Sequence, residues 1–242
     1  MAKKIWYREE DMKKLGLVGG MGPESTVPYY HDIVYGVKEK VGGDFFPNLA
    51  IESVNVFDVL RLCKEKKYDE LTDYLLTAIE NLAKSGADFA ALSANTPHIV
   101  FESLKERSPI PLVSIIEATC EKTMQLNMHK IGLLGTIFTM KEDFFKMPFL
   151  ENGIEIVVPK DEEMEVINDK ISSELEVGIV NEDTLKSFQK IIERMKEEDH
   201  IEAIVLGCTE LPLLLNDEVS PVPCLDTMKI HVQALVERII ES

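Results

Sequence analysis

Lys13-Lys14-Leu15-Gly16-Leu17-Val18-Gly19-Gly20 and His129-Lys130-Ile131-Gly132-Leu133-Leu134-Gly135-Thr136 are two versions of one phrase. Each is an apolar run that stops at glycine, the pattern of a strand buried on both faces of a parallel sheet. Each also has a companion farther along. Ala87-Asp88-Phe89-Ala90-Ala91-Leu92-Ser93-Ala94-Asn95-Thr96-Pro97 follows the first, and Ile201-Glu202-Ala203-Ile204-Val205-Leu206-Gly207-Cys208-Thr209-Glu210-Leu211-Pro212 follows the second. Aligning Ala87 with Ile201 sets Ala94 opposite Cys208. A third match links Pro109-Ile110-Pro111-Leu112-Val113-Ser114 to Pro221-Val222-Pro223-Cys224-Leu225-Asp226, and a long helix is expected after each. The chain therefore reads as a duplication in which only the second copy carries a thiol in its strand-end loop.

The spacing of apolar residues fills in the rest. In the first copy it predicts strands over 12–18, 48–54, 89–92 and 112–115, and helices from Pro23 to about Glu39, over 67–85 and over 97–107. Leu71, Leu75, Ile79 and Leu82 carry the helical period of the middle one. The second copy predicts strands over 130–134, 154–158 and 203–206, with helices over 141–152, 162–178, 183–198 and 227–242. Strands alternating with helices give an α/β protein, a parallel sheet covered on both faces. The expected architecture is two pseudo-symmetric parallel-sheet halves facing each other across an interdomain cleft. Residues 1–115 form the first half and 116–219 the second, with 220–242 packing back on the first and 1–11 a polar lead-in arm. Ligands of open parallel sheets sit beyond the carboxyl ends of the strands. That rule selects the loops Gly19 to Gly22, Ser93 to Thr96, Gly135-Thr136 and Gly207 to Glu210.

Composition excludes several classes. Among 242 residues, 26 Lys and Arg stand against 43 Asp and Glu, a net charge of −17. Such a surface repels a phosphate backbone, so nucleic acid is not an expected partner. No apolar run reaches the roughly 18 residues of a membrane span, and Met1 to Trp6 lacks the apolar core of a secretion signal. A cytoplasmic protein without a membrane partner is expected. Cys63, Cys120, Cys208 and Cys224 show no paired spacing and are read as free thiols. The five histidines, His31, His98, His129, His200 and His231, lie far apart, so no metal site is expected.

Gly19-Gly20-Met21-Gly22-Pro23-Glu24-Ser25-Thr26 is glycine-rich after a strand but lacks the GxGxxG spacing of a dinucleotide loop. Its bare backbone N–H groups and the following helix start suit an anion, a carboxylate as well as a phosphate; a tight strand-to-helix turn accounts for the glycines equally well. Cys208 lies after an apolar strand and before a helix expected at Pro212, a setting that lowers a thiol's pKa and makes it a base or nucleophile. Cys63, Cys120 and Cys224 fall in helical or apolar stretches and are read as structural. Asn95 and Thr96 offer short polar side chains and backbone N–H groups, the equipment of a carboxylate pocket or of a helix cap ahead of Pro97. His98 is read as a packed residue of that helix. Thr209 and Glu210 are placed to orient the thiol or to accept a substrate ammonium group.

The stretch Gly19 to Thr26 with Tyr29-Tyr30, the Asn95-Thr96-Pro97-His98 segment and Gly207-Cys208-Thr209-Glu210 together resemble the aspartate/glutamate racemase family, within the Asp/Glu/hydantoin racemase superfamily. The similarity runs from about Lys13 to the C-terminus, and the Gly-Gly-Met opening resembles the aspartate-racemase branch. The resemblance implies amino-acid racemisation without pyridoxal phosphate or any other cofactor: one thiolate removes the α-proton and a second thiol returns one from the other face. It assigns Cys208 as catalytic and Ala94 as the position of the missing first cysteine. The carboxylate donors it implies are Asn95, Thr96, Thr136 and Thr209, with the Gly20-Met21 turn closing the pocket. It also implies a homodimer.

The chain departs from that pattern in two places. Alanine at 94 has no proton to donate, which fits a single-thiol relative, a member with altered chemistry or a substituted variant. Relatives that take aspartate hold its carboxylates with basic side chains, and between Val41 and Leu60 this chain has no Lys or Arg. Only Lys160 and Lys170 are available in the second copy, and Ser53 and Asn55 are left to meet the substrate's distal group. The leading expectation is an amino-acid racemase. The alternatives are a one-thiol decarboxylase or isomerase of a small dicarboxylic acid, and a metabolite-binding relative with weakened catalysis.

Overall fold

The computed structural model describes residues 12–241, so the lead-in arm read over 1–11 lies outside the described residues. The chain divides into two compact units, one comprising the residues up to Ile115 together with His231 onward, the other Ile116–Ile230. Each holds a four-stranded, all-parallel sheet. In the first unit β1 (Leu15–Gly19), β2 (Leu49–Ser53), β3 (Phe89–Leu92) and β4 (Leu112–Val113) lie in the order β2-β1-β3-β4. In the second, β5 (Lys130–Leu134), β6 (Glu155–Val157), β7 (Ala203–Leu206) and β8 (Cys224–Asp226) lie in the order β6-β5-β7-β8. One topology is thus used twice, as the repeat requires.

The central strands are apolar because both faces are covered. All of β1 and β3 is buried, and in the second unit Leu134, Ile204 and Leu206 join Met140, Ile167, Phe188 and Ile192 in one core. The first unit's helices are α1 (Pro23–Val41), α2 (Val56–Lys64), α3 (Tyr68–Lys84) and α4 (Phe101–Arg107). The second unit's are α5 (Ile115–Gln125), α6 (Ile137–Lys141), α7 (Met147–Glu151), α8 (Asp161–Ser173) and α9 (Glu182–Arg194); α10 (Thr227–Ile240) follows β8. The repeated glycines inside the central strands serve close packing against these layers. A Cβ on Gly16 would come within 2.9 Å of Leu82 Cβ on α3, and one on Gly132 within 2.9 Å of Ile201 Cδ1.

Several expected elements are corrected. The helix read over 141–152 is two short ones, α6 and α7, because Thr136 caps a turn that ends at Glu142, where the backbone is extended with ψ 155°. The helix read from Pro97 opens as a 3-10 turn, Thr96–Val100, before α4. The helix expected at Pro212 is only a 3-10 turn, Leu211–Leu213. Helix α2 is unforeseen; Asn55 caps it by accepting from Phe57 N–H at 3.1 Å. Residues 220–230, read with the returning tail, lie in the second unit because β8 pairs with β7.

Candidate functional site

The thiol loop is built from β7 outward. Leu206 pairs with Leu134, and the next residue continues the ladder, Gly207 N–H donating to Leu134 O at 2.7 Å. A Cβ on Gly207 would lie 2.9 Å from that same carbonyl, so a glycine is required there and the first side chain beyond the sheet is Cys208. The Cys208 thiol donates to Glu210 Oε2 at 2.9 Å, and the Thr209 hydroxyl donates to the same oxygen at 2.9 Å. One carboxylate therefore gathers the whole loop. Leu211 and Leu175 belong to one buried core against which the partly buried Cys208 packs, and Glu176, next to Leu175, stands in the 3-10 turn Leu175–Val177 that follows α8.

This setting raises the thiol's pKa well above its ordinary value of 9.0, first through burial, then through the charge and hydrogen bond of Glu210, with the charge of Glu176 adding to it. The expectation of a lowered pKa is overturned. It presumed an α-helix start after Cys208, and the short turn there supplies no such dipole while the nearby charges are negative. Glu176 feels the same field: burial and then Glu210 hold its pKa above the usual carboxylate value. Sequence reasoning missed Glu176. The available signal was the stripe Met164, Ile167, Ile171 and Leu175, which carries the apolar face of α8 one turn beyond its end and sets Leu175 in the core.

In the first unit the equivalent bond is Ser93 N–H to Val18 O at 3.0 Å, which makes Ser93 the counterpart of Gly207 and Ala94 the counterpart of Cys208. Here the loop is locked by a buried histidine. His98 Nδ1–H donates to the Ala94 carbonyl at 2.9 Å, and its Nε2 accepts from Ile115 N–H at 3.3 Å. His231 Nε2–H donates to Val113 O at 3.2 Å, while its Nδ1 accepts from Tyr29 OH at 2.8 Å. The partners fix both tautomers and leave no ring nitrogen for an added proton. Burial lowers the pKa of His98 to about 4; burial and then the neighbouring His98 lower that of His231 to about 3.

The other candidate residues are spread over both units. Gly20 has φ 77°, and its N–H donates to the Thr26 hydroxyl at 3.0 Å, so that group serves the tight turn, one of the two roles the sequence leaves open for this loop. A side chain on Gly20 would overlap Val54 O and Ser53 Oγ. Met21 is buried beside it in sequence, and Ser53 and Asn55 are exposed. The Asn55 amide is engaged at 2.8 Å by Asp58. Asn95 is buried, Thr96 partly so, and Asn95 makes no side-chain cap to the turn it precedes. Thr136 caps α6 through a bond from Thr139 N–H at 3.3 Å. The two lysines considered for a substrate carboxylate are engaged elsewhere: Lys160 Nζ meets Glu198 at 2.9 Å and Lys170 Nζ meets Glu174 at 2.6 Å. Among the described residues no His, Cys, Asp and Glu group has the arrangement of a metal site, and no helix is long and apolar enough to cross a membrane.

Twin parallel sheets of one order, each with a polar loop at the end of its third strand in sequence, define a duplicated α/β protein. The chain belongs to the Asp/Glu/hydantoin racemase family, whose model matches residues 18–235. A candidate Asp/Glu racemase from Yersinia pestis is 33% identical with a TM-score of 0.89, the match covering 95% of this chain and 100% of that one. An aspartate racemase homologue from Pyrococcus horikoshii OT3 is 37% identical with a TM-score of 0.83, over 93% of this chain and 98% of that one. The broad specificity amino-acid racemase RacX of Bacillus subtilis (strain 168) is 26% identical over 221 residues, covering 88% of this chain and 92% of RacX.

Proposed function

We propose that the chain is an amino-acid racemase that works without pyridoxal phosphate, with Cys208 moving the α-proton. The observation that carries this reading is the Cys208 thiol hydrogen-bonded at 2.9 Å to Glu210 at the carboxyl end of β7, in a chain of the racemase family. Glu210 is the acceptor for the thiol proton, and a substrate ammonium group near the loop favours the thiolate by opposite charge. The thiolate then takes the α-hydrogen: the C–H bond breaks, S–H forms, and the electron pair spreads into the α-carboxylate. Backbone N–H groups and the side chains of Asn95, Thr96, Thr136 and Thr209 are the donors assigned to that developing charge, which they must meet more strongly than the ground state to accelerate the step. Gly20 and Met21 shape the pocket, and Ser53 and Asn55 are its more distal polar groups. The homodimeric state that the resemblance implies and the cytoplasmic location expected from the sequence belong to the same proposal.

Ala94 favours one variation. A methyl group at the position equivalent to Cys208 returns no proton, which suits one-sided chemistry, and protonation from a single face is the alternative reading of a decarboxylase or isomerase of a small dicarboxylic acid. Exchange in D₂O separates the readings. Each enantiomer of a panel of acidic, neutral and basic amino acids is incubated with the native chain and with Ala94→Cys, and α-deuteration and configuration are followed by NMR and chiral chromatography. Inversion by the native chain supports racemisation and exchange with retention supports one-sided chemistry; inversion is expected for Ala94→Cys, and neither inversion nor exchange after Cys208→Ala. Absence of exchange in Ala94→Cys with every amino acid would overturn the amino-acid reading, and carbon dioxide release from malonate-type acids would then establish the decarboxylase.

A further inference from the structure

Resting on the reading of the Ser93 to Thr96 loop as part of the racemase site, we infer that His98 is a positioning residue for the reaction. Its imidazole takes the place of a backbone N–H that Pro97 lacks, and so sets the loop that carries residue 94 and the donors Asn95 and Thr96. The two copies show the exchange of parts. In the second, the chain turns after β7 with the Cys208 carbonyl accepting from Leu211 N–H at 3.2 Å. The residue at the same distance from Ala94 is Pro97, which has no N–H to give. The first copy still turns here, with Asn95 right-handed helical at φ −78° and ψ −48°, and the Ala94 carbonyl needs another donor. His98 supplies it: Nδ1–H donates to Ala94 O at 2.9 Å from a ring only 3% exposed.

The ring is itself fixed. Nε2 accepts from Ile115 N–H at 3.3 Å, and one face stacks on Phe101 of α4, the centroids 4.9 Å apart and the planes 11° from parallel. Because a peptide unit is planar, a bond to the Ala94 carbonyl orients the whole link between Ala94 and Asn95. On one side it fixes ψ of residue 94, and with it the direction of that residue's Cα–Cβ bond; on the other it fixes where Asn95 begins. The loop's donors are assigned to charge that develops in the transition state, so losing this bond should lower kcat more than it raises KM. A displacement of about 1 Å is enough to cost on the order of a hundredfold in rate.

Two substitutions separate the two ring bonds. His98→Asn puts an amide N–H near the Nδ1 position and gives up the bond from Ile115, whereas His98→Gln reaches the Nε2 position, keeps an acceptor for Ile115 and gives up the bond to Ala94. Each loses one buried hydrogen bond, so a merely structural role would weaken both alike. The probes are L-alanine, L-glutamate and L-lysine, followed by α-deuteration in D₂O with the native chain and with Ala94→Cys; amide hydrogen exchange of the peptide spanning residues 93–97 reports the order of the loop. His98→Gln is expected to lower kcat at least about tenfold with KM within about threefold, and to speed amide exchange in the loop. His98→Asn should keep most of the rate and the protection. Adding Pro97→Leu to His98→Gln returns the backbone N–H that the second copy uses, and should recover kcat severalfold. Equal losses in the Asn and Gln variants, a loss confined to KM, or no recovery with Pro97→Leu overturns the inference while the racemase reading stands. If no probe exchanges with any of the chains, the racemase reading falls, and amide exchange in the loop decides separately whether His98 holds it.

Discussion

Protonation of the buried histidines provides a quantitative test of the first unit. His98 and His231 are 3% and 0% exposed, and each has both ring nitrogens committed as one donor and one acceptor. In the unfolded chain each takes up a proton near pH 6.5, whereas in the folded chain His98 does so at about 4 and His231 at about 3. The folded-state values are depressed, so the unfolded state binds more protons on the way down. Stability is intact above pH 6.5 and falls as pH drops toward the folded values. At 1.36 kcal/mol per pKa unit the cost is about 3 kcal/mol for His98 and about 5 kcal/mol for His231. That is comparable with the whole stability of a domain. From pH 6.5 to 5 the slope from the two groups rises from roughly 1.4 to roughly 2.5 kcal/mol per pH unit. Urea unfolding followed by circular dichroism at half-unit steps gives this slope directly, and ring-proton NMR assigns it. The double variant Tyr29→Phe, His231→Phe replaces one bonded pair with apolar rings and is expected to cut the slope by about half. An unchanged slope in that variant, or His98 and His231 ring signals that titrate near pH 6.5 in the native fold, would refute the reasoning.

Three other outcomes are expected. Glu210→Gln removes the charge and the hydrogen bond that hold the Cys208 thiol up, so its iodoacetamide alkylation, resolved by peptide mass spectrometry, should begin at lower pH; an upward shift would contradict this. In Ala94→Cys the introduced thiol sits in a loop that carries Asn95 and Thr96 where the other copy has Thr209 and Glu210, so it should be alkylated at lower pH than Cys208. Gly20→Ala forces a side chain onto φ 77° and into Val54 O, which should cost about 2–3 kcal/mol in urea unfolding, and full native stability would show that the turn tolerates a side chain.

The parts of the fold legible in the sequence are those set by local pattern. Strands β3, β5 and β7 fall on the expected residues because each is a short apolar run bounded by polar or glycine stops. Helix α2 gives no such signal: nine residues long, it leaves Phe57 77% and Leu60 50% exposed, so its apolar residues do not fall on a single buried face. The helix breaks at Glu142 and after Leu213 are likewise hidden, because they depend on caps and on backbone conformation. At the site, the loop of Cys208, Thr209 and Glu210 is legible from the strand-end rule, since its members are consecutive. Glu176 is not, because its charge acts on the thiol from a segment more than thirty residues earlier, beside Leu175 in the same core. The direction of the thiol's pKa is illegible for the same reason: it is decided by burial and by two carboxylates on separate segments.

The duplication explains why one scaffold holds two unlike loops. Ser93 and Gly207 continue the same ladder in their own sheets, to Val18 and Leu134, so the backbone frame at positions 94 and 208 is shared. Beyond that frame the two copies have diverged. In the first copy the fourth residue after Ala94 is His98, buried and uncharged, and its ring ties the Ala94 carbonyl to Ile115. In the second copy that position is Pro212, which carries no polar side chain, and the loop is gathered instead by a carboxylate two residues after the thiol. A neutral, rigid loop and an anionic, proton-accepting one cannot serve as equivalent acid and base. Burial and the charges of Glu210 and Glu176 make the Cys208 thiol hard to ionise and, once ionised, a strong base.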